Sequence, residues 1–213
     1  MKRRLIKGAA ALVVVGGLGV LFVRSAKNVR SEPYEIPRNR LTGWSLAIDG
    51  PPNQSGVLLG LQPDKQTAAM LFSQVFSRTG ESLSGPVPAA IPLVLQSEFD
   101  RAKAGTLTPD ALLTSARAAS LESSAFEPRC MAHRRVSEPG ITRQVYFVRV
   151  EWPAFDAFRR QAAEQMRAAG GAGFDPAALS PVLIVAASDA AFSRWLPLRA
   201  DAEDDCLAPM AVK

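Results

Sequence analysis

Apolar residues occur along most of this chain in short runs and spaced stripes, a pattern that predicts strands alternating with helices. Leu41–Asp49 and Gly56–Gln62 are apolar runs separated by turn-forming residues, so we expect a β-hairpin. Lys65–Arg78 carries its apolar side chains at helical spacing, which predicts a helix directly after the hairpin. Two more helices are expected, one over residues 92–105 and one that begins at Thr108, where a capping hydroxyl precedes a proline.

The second half of the chain contains the clearest hairpin. Phe126–Val136 and Ile141–Trp152 flank a Pro-Gly pair, which favours a type II turn. A hairpin closed by this turn places His133 opposite Tyr146. The second strand is apolar on both faces, so it is expected to lie inside a sheet and not at its edge.

A helix and a strand are expected to follow this hairpin. Pro153 ends the hairpin and opens a helix over Ala154–Ala169, Val182–Ala187 is typical of a buried strand, and Ala190–Leu196 is expected to be a short helix. A hairpin followed at once by a helix therefore occurs twice, with a proline at each switch, which hints at a distant duplication. The predicted fold class is α+β: one mainly antiparallel sheet with packed helices, preceded by a single transmembrane helix.

The predicted transmembrane helix rests on the first thirty residues. Gly8–Val23 contains no charged residue, and basic residues precede and follow it. With Leu5 and Ile6, the stretch approaches the roughly 20 apolar residues that span a bilayer. We predict a signal-anchor in residues 1–30, with residues 5–24 in the lipid bilayer. A cleaved signal peptide shares this pattern and stays open as an alternative.

The predicted anchor also determines the expected cellular location of the rest of the chain. A short basic N-terminus favours its retention in the cytoplasm, so the body is expected on the periplasmic, or extracytoplasmic, side of the inner membrane. Residues 31–40 contain two prolines and few apolar residues, which is typical of an extended spacer. Residues 41–213 are expected to form one extracytoplasmic α+β domain.

The net charge of +5 belongs mainly to the anchor. Seven of the 25 basic residues lie in residues 1–30, which contain no acidic residue. The rest of the chain has 18 basic against 20 acidic residues. A body without a basic excess lacks the electrostatic footprint of nucleic-acid binding, so no nucleic-acid partner is expected.

Cys130 and Cys206 are the only cysteines in the sequence. In an oxidising compartment, two cysteines allow one intramolecular bridge. We therefore predict a disulfide between them, with two unpaired buried thiols as the alternative.

Few residues suit catalysis. His133 is the only histidine, and its expected strand position beside Tyr146 favours a packed, hydrogen-bonded side chain. One histidine and two cysteines do not supply a usual structural zinc set. The glycines at 170–173 follow a helix instead of preceding one, unlike a phosphate-binding loop. Glu98 and Asp100 are expected on a solvated surface. We assign no catalytic, cofactor-binding or metal-binding residue.

Arg134, Arg135, Arg143 and Arg149 are close together on the second hairpin. Solvated strand edges are the simplest interpretation of such a cluster. The alternative is a docking patch for an acidic partner or for lipid headgroups. Trp44 is expected in the core, although its position near the spacer also makes it a candidate partner contact.

Three functions fit these observations. The first is a non-enzymatic accessory or structural subunit that docks onto a larger membrane protein complex, and we expect this one because the anchor confines the body near the bilayer. The second is a periplasmic ligand-binding module with a pocket between sheet and helices, which a pocket lined by His133 and Tyr146 would favour. The third is a hydrolase built on a buried Ser-His-Asp arrangement.

Overall fold

The structure, a computed structural model, describes residues 31–48, 56–86, 89–102, 105–190, 192–196 and 205–213. The predicted anchor, residues 5–24, lies outside the described residues, as does the loop of the first hairpin. Among the helices that are described, none is long and apolar enough to cross a membrane.

The described residues alternate between strands and helices, and the predicted α+β class is confirmed. The strands are β1 (Tyr34–Ile36), β2 (Ser45–Ile48), β3 (Val57–Gln62), β4 (Ile91–Leu95), β5 (Glu127–Glu138), β6 (Ile141–Glu151), β7 (Val182–Ala187) and β8 (Cys206–Val212). The helices are α1 (Lys65–Thr79), α2 (Gln96–Ala102), α3 (Pro109–Ala118) and α4 (Pro153–Ala168). Short 3-10 turns occupy Arg38–Arg40, Pro176–Ala178 and Phe192–Trp195.

The described strands form two hydrogen-bonded sheets, not the single sheet that the sequence predicts. One has the order β1-β8-β5-β6-β7, and the other has the order β2-β3-β4. The pairings are antiparallel except that of β1 with β8, which is parallel. β4 and β7 are each the last strand of their sheet. They contact one another but form no backbone hydrogen-bonded ladder, so the two sheets remain separate.

The repeated hairpin-helix pattern includes a third strand. The units are β2-β3-α1-β4 and β5-β6-α4-β7, and in each the third strand is antiparallel to the second strand of the hairpin. Each helix also contacts the third strand of the other unit, since α1 packs on β7 and α4 packs on β4. The two units therefore share one hydrophobic core.

The helix predicted over residues 92–105 is wrong in its first turn. Ile91–Leu95 is a strand, all five of its residues are buried, and the helix begins only at Gln96. This run pairs with β3. The error has a physical cause: a strand buried on both faces has no polar alternation, so its last residue also fitted the helical spacing of Phe99 and Ala102.

The segment predicted as a spacer, residues 31–40, contributes a strand to the domain. Tyr34 and Ile36 are buried and Glu35 is exposed, and β1 pairs with the C-terminal strand β8. An alternation of only three residues between prolines is too short to predict a strand from sequence. The C-terminal strand was missed as well, because Pro209 in its middle argues against a strand inside a sheet.

The second hairpin is confirmed in detail. His133 lies opposite Tyr146, and Val136 lies opposite Arg143. The strand β6 lies inside its sheet, between β5 and β7, as its two apolar faces indicate. The inward stripe of the helix after Pro153 is also confirmed, because Phe155, Phe158, Ala162 and Met166 are buried.

Candidate functional site

An apolar groove with a volume of about 680 Å³ lies between α1 and β7. Helix α1 contributes Ala68, Ala69 and Phe72 to its wall, and β7 contributes the residues 183–185. This volume falls within the range of about 300–1,000 Å³ typical of small-ligand sites. His133 and Tyr146, whose presence in a pocket would favour a ligand-binding module, are not among the residues that line this groove.

The polar residues of the groove lie where α1 begins. Asp64 caps the helix, because its carboxylate accepts hydrogen bonds from the backbone N–H groups of Gln66 and Thr67. The Thr67 hydroxyl also donates to this carboxylate at 2.6 Å, and Arg40 lies 3.2 Å from it. The hydrogen bond from the Thr67 side chain is the main cause that lowers the pKa of Asp64, with smaller contributions from the backbone and from Arg40. The capping carboxylate is therefore ionised and engaged at neutral pH, whereas Lys65, beside it, has no ion-pair partner among the described residues.

The opposite side of the groove is formed where the chain returns from α1. Ser84 pairs with Ala187 in an isolated antiparallel bridge, with hydrogen bonds in both directions at 2.8 and 2.9 Å. Gly85 follows, and a side chain there would place its Cβ 3.3 Å from the Phe72 ring and 3.6 Å from the carbonyl oxygen of Val185. The glycine thus keeps the gap between helix and strand open.

The strand beside the groove is irregular. β7 pairs with β6 along one edge, and a register shift falls between Ala186 and Ile184. Such a bulge leaves an extra residue outside the regular ladder and re-aims neighbouring side chains. Three consecutive residues of β7, Leu183, Ile184 and Val185, line the groove.

His133 belongs to a polar network on the second hairpin. Its Nε2 lies 3.2 Å from the Gln144 side-chain oxygen, and its ring stacks on Tyr146 at 4.5 Å between centroids. The Gln144 amide and the Tyr146 hydroxyl both donate to Glu81 at 2.7 Å, while Arg135 donates to Gln144. The oxygen of Gln144 can only accept, so the His133 Nε2 carries a hydrogen. This arrangement is the packed, hydrogen-bonded histidine that the sequence indicates.

The four arginines proposed as a docking patch do not form one surface. Arg134, Arg143 and Arg149 share one face of the hairpin with β6 residues 145 and 147, while Arg135 is paired with Gln144 on the other face. Arg134 forms an ion pair with Asp205, and Arg143 forms ion pairs with Glu138 and Asp189. Two of the three same-face arginines are therefore already neutralised within the domain.

Trp44 lies in the interior. It is 5% exposed, its indole N–H donates to the Arg40 carbonyl at 2.7 Å, and its ring packs 4.8 Å from Phe126. Phe126 in turn packs on Trp152. The tryptophan thus belongs to an aromatic cluster of the core, as the sequence analysis expects, and not to a partner contact surface.

The predicted disulfide is confirmed. Cys130 on β5 and Cys206 on β8 are bonded, with 5.7 Å between their Cα atoms. Cys130 is buried and Cys206 is exposed. The Arg149 guanidinium lies 3.7 Å from the Cys206 sulfur. The bridge fixes the C-terminal strand, and through it β1, to the centre of the larger sheet.

One buried ion pair was not predicted from the sequence. Arg159 on α4 is fully buried and donates to both carboxylate oxygens of Glu98, at 2.8 and 2.9 Å. Its remaining N–H groups donate to the carbonyls of Leu93, Asp175 and Pro176. Glu98 is thus 5% exposed, so its expected place on a solvated surface is wrong. Only the spacing of Arg159 from the buried Phe155 and Phe158 could have signalled it.

Comparisons with known proteins yield no relative for this chain: no protein family, no curated protein and no solved structure matches it. In the part of the chain that the structure describes, no group of three or more His, Cys, Asp or Glu side chains is placed to hold a metal ion. Among the described residues, the apolar groove between α1 and β7 has the volume of a small-ligand site.

Proposed function

We propose that this protein is a non-enzymatic accessory subunit, held at the inner membrane by residues 5–24, whose extracytoplasmic domain docks onto a larger membrane protein complex. The observation that carries the docking part is the open apolar groove, because an exposed concave apolar surface is typical of an interaction site. The basic and apolar pattern of residues 1–30 supports the membrane part.

The disulfide supports the compartment. A bridge between Cys130 and Cys206 persists in the oxidising environment of a periplasm and is rare in a reducing cytosol. β1 starts at Tyr34, so the domain begins ten positions after residue 24, the last residue proposed to lie in the bilayer. A tether this short would confine the groove to a layer near the bilayer and raise its effective concentration toward neighbouring membrane proteins.

The test is native electrophoresis of membranes solubilised in a mild detergent. The account predicts that the full chain migrates in an assembly larger than its own 22.8 kDa together with its detergent. A variant without residues 1–30, exported by a cleavable signal, should leave the membrane fraction. The proposal would be contradicted if the full chain migrates only as a free monomer and cross-linking yields no adduct with another protein.

The groove also favours a second function, a periplasmic ligand-binding module. Its volume of about 680 Å³ suits a small apolar molecule. Native mass spectrometry of the purified full chain decides between the two. If one small molecule copurifies with each chain and no protein partner does, the ligand-binding function would be supported in place of the subunit function.

A further inference from the structure

We propose that the disulfide between Cys130 and Cys206 is a thiol-exchange site, at which an external thiolate attacks the Cys206 sulfur and thereby releases the C-terminal strand β8 from the sheet. The reactant is a thiol in its ionised form. The inference concerns the bridge and the strand that it fixes, so it is independent of the docking proposed above.

The two sulfurs of the bridge differ in their access to solvent. Cys130 is 4% exposed on the central strand β5, whereas Cys206 is exposed at the start of β8. In thiol–disulfide exchange the attacking thiolate must reach one of the two sulfurs directly, and access decides which one. The external thiolate therefore forms the mixed disulfide on Cys206, and the Cys130 sulfur is the leaving group.

A guanidinium group lies beside the bridge. Arg149 is directly opposite Cys130 in the pairing of β5 with β6, and its Nη1 lies 3.7 Å from the Cys206 sulfur. The attacking thiolate brings a negative charge, which the transition state distributes over the sulfur atoms of the exchange. A fixed cation stabilises a thiolate and any charge that develops next to it. Arg149 is thus placed to accelerate the exchange.

The exchange conserves atoms and electrons in two steps. In the first step, the external sulfur bonds to Cys206 and the bond between the two cysteines breaks, with its electron pair on Cys130, which takes up a proton. In the second step, another external thiolate attacks the external sulfur of the mixed disulfide and releases Cys206 as a thiolate. Two external thiols are thereby oxidised to one disulfide, and the bridge is reduced to two thiols.

The strand that the bridge fixes has few other attachments. Of the seven residues of β8 only Ala208 is buried, although Leu207 and Met210 pack partly against the core. β8 pairs with β5 over three residues with a register shift, and Pro209, opposite Cys130, has no N–H group to donate. By contrast, all six residues of β7, at the far end of the same sheet, are buried. The bridge is therefore a main attachment of β8.

The neighbouring strand β1 is attached to the domain independently of β8. The Gln74 side chain on α1 accepts a hydrogen bond from the Glu35 N–H at 2.9 Å and donates one to the Glu35 carbonyl at 2.8 Å. Arg78, also on α1, donates to the Pro33 carbonyl at 2.9 Å. Opening of the bridge should therefore free β8 from between β1 and β5, while β1 stays on α1.

The first experiment follows the reaction of the full chain, in detergent micelles, with reduced glutathione, stopped by acid and mapped by mass spectrometry. We expect glutathione on Cys206 and a free thiol on Cys130. Arg149→Gln should slow this exchange by about tenfold, because the developing charge loses its cation, and Arg149→Lys should retain most of the rate. The matched control is Arg135→Gln, on the opposite face of the hairpin, which should change the rate by less than about twofold.

The direction of the Arg149→Gln effect separates an electrostatic role from a structural one. Loss of a merely structural contact would loosen β8 and speed the exchange. An unchanged or faster exchange in Arg149→Gln would therefore overturn the role of Arg149. Glutathione attached to Cys130, or exchange that occurs only in urea, would overturn Cys206 as the sulfur that is attacked in the folded chain.

The second experiment measures the release of the strand, by a short pulse of amide hydrogen exchange on the oxidised and the reduced chain. We expect β8 to be protected in the oxidised chain and to label nearly as fully as an unfolded chain once the bridge is reduced. β7 should stay protected in both states, because its burial does not depend on the bridge. Cys206→Ser should label β8 without any reductant.

Two results of the second experiment would overturn the release of the strand. One is protection of β8 that persists after reduction. The other is loss of protection in β7 together with β8, which would show that reduction unfolds the whole domain. Neither result bears on the proposed docking, because native electrophoresis tests that proposal on the oxidised protein.

Discussion

The Arg159 guanidinium and the Glu98 carboxylate meet in the interior with Nη2 and Oε1 2.8 Å apart, and both side chains are almost completely shielded from water. The pair joins α4 of the second unit to α2, directly after β4 of the first. Arg159 uses all five of its N–H groups, three of them on backbone carbonyls. The pair thus connects the two repeated units at the point where they share their core.

Removal of one partner should be strongly destabilising. Arg159→Leu introduces the residue type that α1 has at the equivalent position, Leu71, when the two helices are aligned at their N-cap residues. The change leaves Glu98 buried without its counter-charge. It should lower the free energy of unfolding by roughly 3–5 kcal/mol. Urea titration of the folded domain measures this loss. Arg160→Leu, one residue along the same helix and exposed, is the control and should cost less than about 0.5 kcal/mol. The double variant Arg159→Leu with Glu98→Gln should cost less than the sum of its parts; strict additivity would show that the two side chains are not coupled.

The sequence predicts the elements whose hydrophobic period is regular and long. The hairpin that contains His133 and Tyr146 has its register fixed by a Pro-Gly turn, and α4 carries a stripe of four inward residues. The missed elements are short or contain proline in a strand, as in Tyr34–Ile36 and Cys206–Val212. Their pairing depends on contacts between the two ends of the chain, which no local pattern contains.

The candidate site was harder to predict than the fold. Its wall combines α1 with β7, two elements more than 100 residues apart that belong to different repeated units. The apolar positions of α1 were visible in the sequence, and helical spacing alone assigns both Phe72 and Phe76 to the core. Phe72 is half-buried and packs against the core, whereas Phe76 is 50% exposed. A cluster of arginines is visible in the sequence, so it was predicted as a candidate docking patch. Their acidic partners Asp205 and Asp189 lie far away along the chain, so the ion pairs could not be predicted.

The disulfide should contribute strongly to stability. Closure of the loop between Cys130 and Cys206, which are 76 positions apart, is worth on the order of 4 kcal/mol by the chain-entropy estimate. The double variant Cys130→Ala with Cys206→Ser should lose stability by several kcal/mol in urea titration. The unaltered protein with a reductant should lose a similar amount. Mass measurement after alkylation without reductant should show no modified cysteine; two alkylated thiols would contradict the bridge and weaken the assignment to an oxidising compartment.

The cap of α1 should make stability depend on pH. The pKa of Asp64 is lowered from its ordinary value of 3.8, so its ionised form stabilises the fold. This contribution is present above pH 3.8 and is lost as the pH falls through the lower pKa of the folded state. Asp64→Ala should therefore cost about 1 kcal/mol at pH 7 and less in acid. Thr108→Ala removes the uncharged cap of α3, and its cost should not change with pH in the same way. A pH-independent cost for Asp64→Ala would contradict the role of its charge.

The central claim is that the domain docks onto a membrane protein through the groove face of α1. Site-specific photo-cross-linking in intact membranes tests it most directly, with a photoreactive residue at Ala69, which lines the groove, or at Ala157, the equivalent exposed position of α4. The account predicts that Ala69 yields a discrete adduct with an integral membrane protein, identified by mass spectrometry, and that Ala157 yields none. No adduct from either position, or equal adducts from both, would contradict it.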